Sequence, residues 1–537
     1  MRRFVLLAAV PALAVASCAA IKDDPKPIMI RPTSQPAVAP ASTRPADRES
    51  VCSTQAVSVE VTIEEAVLQA LENNRALRVE RLNPPIARTF VQQELAAFEP
   101  VLVGEIAGGR ERVFDREGES VRDSVVTGRA AIAEFLPTGT TIDAGIDTDR
   151  RWSTLLDDFH AVRAGVTVTQ ALLEGAGVAV NLADLRQAKV DVKVSEYEFR
   201  GFAEALVAEV ETTYWDYVLA RRQVRIVEDS LALAQQQLDE TQHRIRVGDL
   251  AETELAAAEA EVALRREALI NARSLADAVR VRLLRLIRPD AMPATGCQII
   301  PHTEPTVPPI PLESLEDHMA VALHLRPEIR QAQLLVRRDQ LEIVKTRNGL
   351  LPRLDLFVTL GRTGYAESFG DALRDLDTQG YDALVGVRFE HPVTNLADRA
   401  QHRRAVLSLE QQEESLRNLE DLVRQDVALA FIEVRRTREQ VDATATTRRF
   451  QEEKLRAETV KFRVGKSTAI LVAAAQRDLV ASQVAEVQAV ANYLKARTQL
   501  YRLEGSLLER RGLSAPGRQA MIDIPRVPAS PSPSEIR

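Results

Sequence analysis

Aromatic residues are scarce in this chain, at 4% of 537 positions, and cysteines number only three. A block of basic residues is missing too, and the net charge is −8. Each shortage excludes something. Without a basic stripe there is no electrostatic footprint for nucleic acid. The seven histidines, His160, His243, His302, His318, His324, His391 and His402, form no His-x-x-x-His pair and none stands near a cysteine pair, so no metal site is expected. His318 and His324 are six apart on a helical stretch, which turns them to different faces and suits packing or surface roles. Neither a serine nucleophile elbow nor a dinucleotide glycine fingerprint occurs. The chain therefore reads as no enzyme, with no catalytic residue and no cofactor. Past the first twenty residues there is no apolar run of about 18, so no transmembrane helix is on offer.

Ala, Leu, Val, Arg, Glu and Gln dominate instead, a long-helix composition. The start, MRRFVLLAAVPALAVASCAA, has two arginines, an apolar run and a small-residue end, as a secretory signal does. It closes on Val15-Ala16-Ser17-Cys18, which resembles the lipobox of bacterial lipoproteins, in which the cysteine becomes the acylated first residue. That reading makes residues 1–17 the signal and Cys18 the lipid anchor; an ordinary signal cut nearby is the alternative. Either way the chain leaves the cytoplasm. A Pro/Ala/Ser-rich stretch at 24–48 reads as linker within 18–58. Cys52 and Cys297 remain, each preceding the start of a repeat. An exported chain can oxidise them, but spacing does not show proximity, so that disulfide stays open.

The segment KFRVGKSTAI, residues 461–470, looks like the end of a phosphate loop, but its first glycine is replaced by Val460 and charged helix-forming residues precede it. A repeat explains it better. R-V-G occurs at Arg246-Val247-Gly248 and Arg463-Val464-Gly465, 217 residues apart. Ala70-Leu71 matches Ala322-Leu323 and Pro100 matches Pro352, both at an offset of 252. The repeats span 59–290 and 313–505, with a linker at 291–312 and a tail at 506–537 that reads as disordered.

After each proline the apolar period changes to two. Leu354, Leu356, Val358 and Leu360 alternate with Asp355, Phe357, Thr359 and Gly361; Ala383, Val385, Val387 and Phe389 alternate with Asp382, Leu384, Gly386, Arg388 and Glu390. Strands are expected at 353–363 and 382–391. In the first repeat, within 101–171, Val162, Ala164, Val166 and Val168 alternate with Arg163, Gly165, Thr167 and Thr169. Each run is about ten residues, the length of a membrane-crossing strand; a half-buried strand of a soluble domain alternates the same way. The first repeat has 31 extra residues, including a hairpin at about 129–149 that turns at Pro137-Thr138-Gly139. The sequence leaves open whether it joins a barrel, caps it or hangs outside.

Two long stretches, 178–246 and 398–463, carry no proline, and the second no glycine. Every seventh residue from Val210 through Tyr217, Val224, Leu231, Leu238 to Ile245 is apolar. Its counterpart runs Val427, Val434, Val441, Arg448, Leu455, Phe462, with one polar break. Sustained heptads predict coiled-coil packing. Gly248 and Gly465 then become the reversal points of helical hairpins, with returning helices at 251–288 and 468–504. Four strands per chain cannot close a barrel, and lipid does not tolerate an open edge, so membrane strands would have to be pooled by several chains.

IEEAVLQALENNRAL, LEDHMAVALHLRPEI, the proline before each first strand, the junctions VTQALLEGAGVA and EHPVTNLADRA, and the two tips RIRVGDLAETEL and KFRVGKSTAILVAAAQRDL together resemble TolC-like outer-membrane efflux proteins. The resemblance runs from about 59 to 505. It implies a mainly α fold with a β-barrel part: a long antiparallel α-helical coiled-coil barrel plus four or more membrane strands per protomer, in tandem repeat, as a homotrimer with about twelve pooled strands. It implies an outer-membrane exit duct for an efflux pump or type I secretion system, lipid-anchored, with a periplasmic adaptor and an inner-membrane pump as partners. The tips, Arg246, Val247, Gly248, Asp249, Leu250 and Arg463, Val464, Gly465, Lys466, are the expected docking residues, plain chain reversal being the alternative. Asp249 and Lys466 depart from the family's third tip position. The family's acidic ring and ionic latch fall here on Leu471, Ala474 and Glu254, with Phe462 and Ser467 at the latch partners' places. Leu471 is either an apolar constriction or a packing residue. A lipid-anchored periplasmic scaffold without a pore is the second reading.

Overall fold

The computed structural model describes residues 31–32, 58–114, 120–153, 158–248, 251–291, 298–307, 312–377, 380–464 and 466–514. Thr62 opens the first helix, Ile63–Asn73, with a capping box: its hydroxyl accepts from the Glu65 N–H while the Glu65 carboxylate accepts from the Thr62 N–H. Ser314 caps the corresponding second-repeat helix, Leu315–Leu325, by accepting from Asp317 N–H. Proline then sits in the first turn of both α1 (Asn83–Ala96) and α4 (Pro327–Asn348), where its missing N–H is harmless.

The two rods follow. Helix α2 (Ala183–Arg246) has 64 residues and α5 (Leu396–Arg463) has 68. At 1.5 Å per residue each is about 100 Å long. They are answered by α3 (Thr253–Ile287) and α6 (Ala469–Leu503), each packed along the rod that precedes it. The heptad seam is physical: on α5 Val423, Val427, Val434, Thr437 and Val441 are buried at steps of four, seven, three and four. Its polar break resolves as an ion pair, since Arg448 Nε lies 2.6 Å from Glu486 on α6. The expected continuous helix over 178–246 is corrected at Leu182, whose φ of −96° and ψ of 9° separate a single turn at Val178–Asn181 from α2.

The alternating segments form one antiparallel sheet of six strands in the order β1 (Val101–Phe114), β2 (Ser120–Leu136), β3 (Thr140–Ser153), β4 (Phe159–Ala171), β5 (Arg353–Ala366), β6 (Tyr381–Glu390). Among the described residues the sheet thus has six strands, within the four or more expected. The extra hairpin, β2 and β3, sits inside the sheet, because its alternation continues the same face. In register across all six strands run Leu102, Ile132, Ala144, Val166, Leu360 and Ala383. The other face carries Glu105, Arg129, Asp147, Arg163 and Thr363 in register over five strands. Gly139, at φ +87°, makes the turn between β2 and β3, and a Cβ there would meet the Gly175 carbonyl oxygen at 2.3 Å.

Midway along α2 a compact core gathers Phe199, Val207, Val210, Tyr214, Leu283, Ile287 and Leu500. A short parallel pair, Ser58–Val61 with Gln298–Pro301, lies against it, so part of the expected linker 291–312 is a strand. Tyr214 and Tyr217 donate from their hydroxyls to the Val61 and Ile299 carbonyls at 3.1 and 2.8 Å. The tail is corrected as well, as far as residue 514. Leu507 and Leu508 are fully buried, Arg511 reaches Glu211 at 2.5 and 2.7 Å, and Glu509 pairs with Arg200 at 2.7 Å. Two leucines, one arginine with a buried carboxylate partner and one glutamate paired with a buried arginine are enough to dock a segment whose composition alone reads as loose.

Burial pushes the Glu204 carboxyl up to about 8, against the pull of Arg200, whose Nε donates to it at 3.2 Å. That bond survives protonation, since a neutral carboxyl still accepts. An unfolded glutamate ionises near 4.5, so between that value and about 8 the folded state holds a proton the unfolded state has lost, and stability falls as pH rises. Glu204→Gln is expected to flatten this slope; an unaltered pH dependence of thermal unfolding from about pH 5 to about pH 8 would contradict it.

Candidate functional site at the helical tips

The first tip ends α2 with His243, Arg244 and Arg246 in the last turn, where the two arginines suit a helix C-terminus. Val247 N–H and Gly248 N–H donate to the His243 and Ile245 carbonyls at 3.1 and 3.0 Å. Gly248 takes φ +82°, and nothing lies within 4 Å of the place its Cβ would occupy. Its glycine is thus required by backbone conformation rather than by space. Val247 is left 68% exposed.

The second tip ends α5 with Lys461 and Arg463. Lys466 N–H donates to the Lys461 carbonyl at 2.8 Å, the outer bond of a Schellman closure. Val464 is 63% exposed, matching Val247. Asp249, Leu250 and Gly465 lie outside the described residues, as do Cys18, Cys52 and Cys297. The two tips are neighbours: the Arg244 guanidinium stands 5.3 Å from the centre of the Phe462 ring. No strand precedes VGKST, which follows 68 residues of helix, so the phosphate-loop reading has no scaffold.

The residues at the family's latch positions do not meet as a latch. Ser467 donates to Glu458 at 2.8 Å, and Lys461 pairs with the same carboxylate at 2.6 Å. Lys461 and Ser467 together hold the Glu458 carboxyl below its ordinary value. Glu254, in the first turn of α3, has Oε2 buried without a hydrogen-bond partner among the described residues. Leu471 is 52% exposed and Ile470 60% exposed, while Val472 and Ala475 turn inward and Ala474 is half-buried. Leu471 is therefore not consumed by packing within its own chain. Sequence reasoning missed the Glu458–Ser467 clamp; its signal is a glutamate nine residues ahead of a serine across a helix end. Among the described residues no group of His, Cys, Asp or Glu is arranged to hold a metal, and no helix is long and apolar enough to cross a membrane.

Rods of this length are turned back at paired tips and joined to an antiparallel sheet with one apolar face. Residues 319–506 match the family model for outer membrane efflux protein. It is 23% identical over 451 residues to the outer membrane efflux protein BepC of Brucella suis biovar 1, covering 83% of this chain and 86% of that protein. Its fold is similar to the outer-membrane channel OprN, with a TM-score of 0.63 at 17% identity over 83% of this chain and 90% of that one. The Campylobacter jejuni CmeC outer membrane channel gives a TM-score of 0.62 at 14% identity, over 90% of this chain and 98% of that one.

Proposed function

We propose that this chain is the exit duct of an efflux or type I secretion system, assembled as a homotrimer in the outer membrane. One observation carries the reading: a sheet with a contiguous exposed apolar face ends in two edges, β1 and β6, that are unpaired among the described residues. Ile106 is 86% exposed, Val385 68% and Phe389 66%. Such a face suits lipid, but lipid offers no partner for the N–H and C=O groups of an open edge. Pairing β1 of one copy with β6 of the next closes the sheet. Three copies then pool about eighteen strands, in the range that leaves an aqueous channel, rather than the dozen implied by four strands each. The duct reading is tested by opening channels with purified protein in planar bilayers; protein that inserts without conductance contradicts it.

The tips are the docking surface for a periplasmic adaptor, each offering an exposed valine flanked by cations. Cys18 serves as the lipid anchor. The parallel pairing of Ser58–Val61 with Gln298–Pro301 brings together the two segments that lead from Cys52 and Cys297, which supports a disulfide between them. Leu471, with Ala474 behind it, forms an apolar constriction at the tunnel mouth. Leu471→Asp is expected to raise conductance and cation preference; single-channel currents equal to wild type would remove the constriction from that position. The transported substrate is set by the inner-membrane pump rather than by these residues.

A further inference from the structure

The polar face of the sheet carries a continuous ion ladder. Arg129 on β2 lies 2.9 Å from Asp143 and 3.6 Å from Asp147, both on β3. Arg163 on β4 lies 3.7 Å from Asp147 and reaches past β5 to Asp382 on β6, at 2.7 Å. That reach depends on glycine. A Cβ on Gly165 would stand 2.9 Å from Arg163 Nη1, and one on Gly361 would stand 2.8 Å from Nη2 and 2.5 Å from Asp382 Oδ1. The guanidinium thus lies flat on a bare patch of backbone, clamped by a carboxylate two strands away. A long cation that would otherwise project from the sheet is folded down against it.

We propose that this ladder is the ion-selecting ring of the duct's membrane section. The inference rests on the duct reading, which turns the apolar face to lipid and this face to the lumen. Three carboxylates face two guanidiniums in each ladder, so every chain contributes one uncompensated negative charge. Glu105, in register with Arg129 on the edge strand, adds a further carboxylate beside the seam with the next copy. A ring of this sign, with its arginines pinned flat, keeps the bore wide and favours small cations over anions.

Reversal potentials in planar bilayers under a potassium chloride gradient test it. Asp382→Asn leaves Arg163 without its clamp and is expected to lower the cation-to-anion permeability ratio about twofold or more. Arg163→Gln is expected to raise the ratio, an opposite shift that general damage to the barrel would not produce. Should Asp382→Asn fail to assemble, Asp143→Asn at the ladder's end neutralises a carboxylate bonded to Arg129 and is expected to lower the ratio. Ladder variants that conduct with the wild-type reversal potential overturn the proposal while leaving the duct intact. Wild-type protein that opens no channels overturns both.

Discussion

Val247→Asp combined with Val464→Asp is expected to abolish export while the protein still folds, assembles and reaches the outer membrane. Both side chains are more than 60% exposed, so neither contributes packing whose loss would destabilise the rods. Gly248, by contrast, is held by its φ of +82°, and a side chain there strains the turn itself. An aspartate at either position would carry an unpaired charge into the apolar part of the contact, at a cost of about 2 kcal/mol or more each. Two such losses weaken docking by about a thousandfold. Cross-linking from Arg246 or Lys466 to the adaptor should disappear, and export should fall to the level of a deletion strain. Normal export and normal cross-linking would leave the valines with a reversal role only.

Arg511→Met is expected to destabilise the folded protein by about 3 kcal/mol, the lower end for removing one partner of a buried ion pair. Glu211 is fully buried and receives Arg511 at 2.5 and 2.7 Å and the Thr498 hydroxyl at 2.7 Å. Without the guanidinium its carboxylate is stranded, although the Arg511 side chain is 30% exposed and water can follow it in. The double change Glu211→Leu with Arg511→Met removes both charges and should recover most of the loss. Urea unfolding in detergent measures both. A single variant as stable as wild type would show that residues 504–514 are not part of the cooperative core.

These two predictions also mark what the sequence discloses and what it hides. Alternation in Ile142, Val168, Val358 and Val385 is a local pattern, and the register places all four on one face. The heptads and the tip glycine are local too, and the rods end within two residues of where those signals stop. What eluded the sequence is non-local. Arg511 and Glu211 are 300 positions apart, so nothing near residue 511 reports its partner. Arg448 breaks a heptad only until Glu486 is brought beside it by the hairpin. The extra hairpin alternates like its neighbours, but its place in the sheet is fixed by cross-strand register with β1 and β4, which a single segment does not contain. At the tips, Phe462 and Ser467 sit where latch partners would be, yet their side chains turn elsewhere: Phe462 beneath Arg244, Ser467 to Glu458.

On the proposed reading, six strands per chain cross the outer membrane only by closing with sister chains. Native mass spectrometry of protein extracted from outer membranes in mild detergent tests this closure. The expected result is a species with the mass of three chains that collapses to one on heating. A single chain that leaves the membrane in high salt and remains soluble after its acyl group is removed would contradict it.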